Sequence, residues 1–139
     1  MENNNINIVE YAKSYINKYK NRSVTNDKKL LHHILENLFK CNYVVVNNNI
    51  IIHSSIKYNK IIGKEVPVEL KSIISNADVF KRSSIQLAPR KYFQGYVFGM
   101  NCSKNKKNNT YLIINFNLER MSQEALPIIY NLKKYVYLY

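Results

Sequence analysis

The sequence predicts one α+β domain: an N-terminal helical pair, a small mainly antiparallel sheet and a C-terminal helix. Three patterns lead there. Apolar residues recur at helical spacing up to Leu38, β-branched runs begin at Tyr43, and helical spacing returns from Leu126. The 139 residues contain no repeat and no long linker, so residues 1–139 are expected to form a single domain.

Ile8, Val9, Ala12, Tyr15, Ile16 and Tyr19 form one stripe of a helix over Ile6 to Tyr19, with Lys13, Asn17, Lys18 and Lys20 on its other side. Ser23 to Asp27 offers several capping residues for a second helix that runs to about Lys40, with Leu30, Leu31, Ile34, Leu35 and Leu38 inward. A short polar loop between the two makes a helical hairpin.

At Cys41 the pattern changes. Tyr43-Val44-Val45-Val46 and Ile50-Ile51-Ile52 flank Asn47-Asn48-Asn49, and asparagine tolerates the positive φ of a tight hairpin turn. Continuous apolar runs, rather than alternating ones, indicate strands covered on both faces. Lys57 to Lys64 lacks a clear period, and its Ile61-Ile62 pair reads as a third strand ending at Gly63. Pro67 opens a short helix with Leu70, Ile73 and Ile74 on one face and Glu69 near its positive end. Val79 to Pro89 reads as irregular and basic. Tyr92 to Met100 and Tyr111 to Asn117 read as the strands of a long-tipped hairpin, joined by the lysine-rich Asn101 to Thr110. Ser122 caps a last helix with Leu126, Ile129, Leu132 and Val136 inward, kinked or delayed by Pro127; the tail Tyr135 to Tyr139 also alternates like a strand.

Charge bears on function. Lys+Arg number 21 against 9 Asp+Glu, a net +12, and such a balance attracts polyanions because bound phosphates release counterions. Composition discounts the total: Asn, Ile, Lys and Tyr make up 67 residues, all with A/T-rich codons, which points to an A/T-rich host or virus genome. The 17 Lys outnumber the 4 Arg, the better bidentate reader of phosphate and guanine. Distribution is more telling. Val79 to Leu118 carries no acidic residue, yet holds Lys81, Arg82, Arg90, Lys91, Lys104, Lys106 and Lys107.

Within that stretch, a strand over Tyr92 to Met100 places Tyr92, Gln94, Tyr96, Phe98 and Met100 on one face and Lys91, Phe93, Gly95, Val97 and Gly99 on the other. Aromatic rings on a sheet beside cations are how several domains stack single-stranded bases. Gly95-Tyr96-Val97-Phe98 is similar to part of the RNP1 strand of RNA-recognition motifs. However, Gln94 stands where a basic residue belongs and two helices come first, so no family is assigned.

Other chemistry is sparse. Glu69-Leu70-Lys71 has the E-x-K spacing of the PD-(D/E)xK nuclease core, but Asn49, His53, Ser54 and Ser55 stand where its upstream acid should be, and the Leu70 stripe favours a helix. His32, His33, His53, Cys41 and Cys102 lack metal-ligand spacing, and two cysteines make no disulfide framework. Three glycines leave no phosphate-cradling loop. No catalytic set, metal or cofactor is expected. No run of about 18 apolar residues spans a membrane, and Met1-Glu2-Asn3-Asn4-Asn5 has no signal character, so an intracellular protein without a membrane partner is expected.

The reading favoured by the sequence is a small basic nucleic-acid-binding protein, or a subunit of a nucleic-acid-processing complex. Lys81, Arg82, Arg90, Lys91, Lys104, Lys106 and Lys107 would contact phosphates, and Tyr92, Tyr96 and Phe98 would stack bases. The alternative is a protein-interaction module, such as a small viral adaptor, docking through Tyr130, Tyr135, Tyr137 and Tyr139 of its C-terminal helix.

Overall fold

The computed structural model describes residues 32–75, 80–103, 109–116 and 126–132, together with Glu10 and Ser14. Five antiparallel strands, β1 (Asn42–Asn47), β2 (Ile50–Ser54), β3 (Phe80–Ala88), β4 (Lys91–Asn101) and β5 (Thr110–Phe116), form one sheet in the order β2-β1-β5-β4-β3. Among the described residues, a π-helix (His32–Leu38), a 3-10 helix (Ile56–Ile61), α1 (Val68–Ser75) and a short helix α2 over 126–132 accompany the sheet in a mixed α+β architecture.

The sheet separates two apolar cores. On one face Tyr43, Val45, Phe98, Met100, Leu112 and Ile114 pack under Ile34 and Leu35 of the π-helix and Ile128, Ile129 and Leu132 of α2. On the other, Val44, Val46, Phe93, Val97 and Ile113 pack under Tyr58 and Ile61 of the 3-10 helix and Leu70 and Ile73 of α1. Sandwiching explains the unbroken apolar runs: all of Tyr43 to Val46 is buried, because side chains alternate between two covered faces. Asn48 and Asn49, with φ of 50° and 66°, form the two-residue loop that brings Asn47 opposite Ile50.

Gly99 marks a close approach of α1 to the sheet. A Cβ there would lie 2.9 Å from Ile73 Cγ2 and 3.4 Å from the Ile73 carbonyl oxygen, so the bare backbone lets α1 settle on β4.

Three expectations change. The third strand expected through Ile61-Ile62 is instead the end of a 3-10 helix, Ile56–Ile61, and a turn: Tyr58 and Ile61 are three apart and both buried, a helical repeat that overrides the β propensity of isoleucine. Within the Val79 to Pro89 stretch, Phe80–Ala88 is a nine-residue strand, β3, rather than irregular chain; pairing with β4 organises a segment in which no apolar residue stands between Phe80 and Ile85. The bulge between Gln86 and Ala88 turns both Leu87 and Ala88 toward the same core. The helical pair is not among the described features. Its first helix, apart from Glu10 and Ser14, lies outside the described residues, and its second is described only as the π-helix. The tail from Lys133 to Tyr139 also lies outside them.

Candidate nucleic-acid interface

The β3–β4 hairpin carries most of the sequence-predicted site residues, and its two faces differ. Cross-strand pairing sets Arg82 opposite Tyr96, Ser84 opposite Gln94, and Gln86 opposite Tyr92. Partners in an antiparallel pair share a face, so these six form a polar and aromatic ladder. Arg82, Ser84, Gln86, Tyr92 and Gln94 are exposed, and Tyr96 is half-buried against the core beneath α2. Tyr92 and Tyr96 are four residues apart, roughly 13 Å along the strand.

Asn115 holds this ladder from its buried side. Its Nδ2 donates to the carbonyl oxygens of Gln94 (2.7 Å) and Tyr96 (3.3 Å), while its Oδ1 accepts from the Gln94 amide (3.3 Å). Gly95, between those two residues, has φ of 98°, a conformation that costs glycine little and other residues more. One asparagine thus fixes the backbone under Gln94 and Tyr96.

On the opposite face, the 3-10 helix and the hairpin tip enclose a groove of about 550 Å³. Lys57, Lys60, Lys64 and Lys91 line it, together with Tyr58, and no acidic side chain does so among the described residues. Its volume suits a small-ligand site. The helix is fastened to the hairpin by Tyr58, whose hydroxyl donates to the Tyr92 carbonyl oxygen (2.7 Å) and whose ring meets Phe93 edge-on at 5.2 Å. The Lys57 ammonium sits 5.7 Å from the centre of the Tyr58 ring.

The tip itself is strained. Pro89 and Arg90 form the two-residue loop between Ala88 and Lys91, and Arg90 has φ of 63°. Proline suits the first central position of such a turn, and glycine or asparagine suits the second. Placing arginine there costs about 1–2 kcal/mol, so a guanidinium is kept at the tip against local backbone preference.

The sequence-predicted residues therefore separate. Arg82, Tyr92 and Tyr96 share the open ladder, whereas Lys91 lines the groove behind it and Arg90 stands at the tip. Lys81 turns toward α1, where its Nζ donates to Ser72 Oγ at 3.3 Å and it borders a shallow cleft with Glu69. Phe98 requires correction as a stacking residue. It is fully buried and meets the Tyr130 ring edge-on at 6.2 Å, because α2 covers this end of β4. Lys104, Lys106 and Lys107 lie outside the described residues.

Lys57, Tyr58, Lys60 and Lys64 were not singled out from the sequence, although a signal exists. No acidic residue occurs between Glu36 and Glu65, and within that interval Lys57, Lys60 and Lys64 follow one another at three- and four-residue spacing through and just beyond the 3-10 helix Ile56–Ile61.

Elsewhere the polar chemistry is structural. Glu36 pairs with His32 and accepts the Ile56 amide at 2.6 Å, tying the π-helix to the 3-10 helix. His53 Nε2 lies 3.0 Å from the Tyr43 hydroxyl. Burial, with Glu36 and Cys41 adding to it, pushes the Tyr43 phenol well above its ordinary value. Burial likewise raises the Cys41 thiol, with Glu36 adding to the rise, and both cysteines are buried thiols outside any disulfide. Glu69 and Lys71 lie on α1, where residues two apart point about 200° apart, so the strand geometry of the nuclease core does not form there. Among the described residues no group of three or more His, Cys, Asp or Glu could hold a metal, and no helix is long and apolar enough to cross a membrane. Compared with protein-family models, curated proteins and solved structures, the chain matches none.

Proposed function

We propose that this protein binds nucleic acid through the β3–β4 hairpin and the groove beneath its tip. The observation that carries the reading is the convergence of Lys57, Lys60, Lys64 and Lys91 on one concavity without an opposing carboxylate among the described residues. Cations so close together repel one another, and a chain of phosphates relieves that repulsion while releasing its own counterions. Arg90, between the groove-lining Pro89 and Lys91, supplies a planar fork suited to bidentate phosphate contact. Tyr92, at the same tip, presents a ring with 41% of its surface exposed.

The test is a salt titration of oligonucleotide affinity. If about three phosphates are neutralised in the groove, the logarithm of the association constant falls linearly with the logarithm of salt, with a slope of roughly −2 to −3. The Lys57→Ala/Lys60→Ala/Lys64→Ala triple variant reduces that slope by about 2–3 and weakens binding uniformly across sequences. Absence of binding at low salt, or an unaltered slope in the triple variant, removes the groove from this role.

A further inference from the structure

We infer that the ligand of this surface is single-stranded nucleic acid, held by a strand that passes from the lysine groove around the hairpin tip onto the tyrosine ladder. The inference rests on the proposed nucleic-acid reading and adds the class of ligand. Its basis is the placement of two chemistries on opposite faces of one thin hairpin. Lys91 lines the groove with Lys57, Lys60 and Lys64, whereas the next residue, Tyr92, stands on the other face. Their Cα atoms are about 3.8 Å apart, so backbone cations and a stacking ring lie on either side of a single strand of protein. A ligand using both must turn sharply around Pro89 and Arg90, a loop of two residues.

A duplex cannot make that turn. Its persistence length is about 50 nm, and it presents only base edges, never an unpaired ring, to a side chain in its groove. A single strand bends freely and offers each base face to an aromatic platform. The ladder is suited to this use. Tyr92 is exposed, Tyr96 lies about 13 Å further along the same face with Gln94 between them, and Arg82 is paired with Tyr96. Asn115 locks the backbone beneath Gln94 and Tyr96, so the platform is preformed.

The measurement is fluorescence anisotropy of the full chain with labelled oligothymidylate, labelled oligouridylate, and the DNA duplex of oligothymidylate with oligoadenylate, all at one low salt concentration. The expected result is tighter binding to single strands than to the duplex. Tyr92→Ala weakens single-strand binding by roughly 5- to 150-fold, the value of one stacked base, while Tyr92→Phe retains it and duplex binding changes with neither. Both variants should melt as the wild type does, since the ring is exposed. The two single-stranded arms distinguish DNA from RNA as the source of the shared chemistry. Duplex binding as tight as single-strand binding, with Tyr92→Ala inert, overturns this inference and leaves the nucleic-acid reading standing. Failure of every oligonucleotide to bind removes both.

Discussion

From Val97 to Met100, strand β4 is buried on both faces, whereas from Lys91 to Tyr96 only Phe93 is. The same side-chain alternation runs through both halves. What differs is the cover. The C-terminal half lies beneath α2 on one side and α1 on the other, with Gly99 allowing the close approach of Ile73. The N-terminal half is covered on one side, where the 3-10 helix seats Tyr58 against Phe93, and on the other only at Tyr96, which packs partly against the core beneath α2. Tyr92 and Phe98, on one face of one strand, therefore have opposite roles: an exposed ring and a core ring. Alternation tells which residues share a face. It does not tell which part of that face another element will cover.

The sharpest way to break the comparison is to truncate each ring. Phe98→Ala should cost about 3–5 kcal/mol, read as a lower urea midpoint with an unchanged slope, because it empties a closed core. Tyr92→Ala should stay within about 0.5 kcal/mol of the parent. Equal losses would mean that the two halves are packed alike.

Alkaline pH probes the closed region separately. The Cys41 thiol and Tyr43 phenol both have folded values raised above their unfolded ones of about 9 and 10. The unfolded chain thus gives up its protons first, and the stability present below pH 9 is lost as pH rises. The loss should approach about 1.4 kcal/mol per pH unit for each group above its unfolded value. Tyr43→Phe should make the decline shallower, measured by urea titration at successive pH values. An unaltered pH dependence in that variant would show that the phenol is not the group responsible.

Smaller effects refine the boundary between the halves. Asn115→Ala leaves the Gln94 amide and two carbonyl oxygens without their partner, and should cost about 1–3 kcal/mol. It should also weaken oligonucleotide binding by loosening the ladder. Gly99→Ala forces a methyl against Ile73 and should cost about 1–2 kcal/mol without touching affinity. At the tip, Arg90→Asn keeps a residue that tolerates positive φ and removes the charge. Stability should hold or rise by up to about 1 kcal/mol while affinity falls, separating the guanidinium's role from the turn's. A loss of stability in that variant would assign Arg90 to the fold instead.

The sequence was a good guide wherever a local pattern decides the outcome. The Asn47 to Ile50 hairpin follows from asparagine's tolerance of positive φ, and the sandwiched β1 from an unbroken β-branched run. The helix after Pro67 and the strand through Tyr92 to Met100 were legible for similar reasons. Legibility failed where long-range partners decide. β3 has few apolar residues of its own and becomes a strand by pairing with β4; Ile56–Ile61, rich in isoleucine, coils because Tyr58 must reach Tyr92 and Phe93. The same failure hid the lysine groove. Lys57, Lys60 and Lys64 are distant in sequence from Lys91, and the packing of the 3-10 helix and the turn after it against the hairpin brings them together.

The turn at Pro89 and Arg90 has a thermodynamic corollary. Proline's ring fixes one of the four backbone torsions of the two loop residues, so fewer alternative shapes are open to the loop. Ordering a loop on contact ordinarily subtracts from affinity. On the proposed reading, part of that entropy is surrendered during folding, and association at the tip begins from a corner that has already been made.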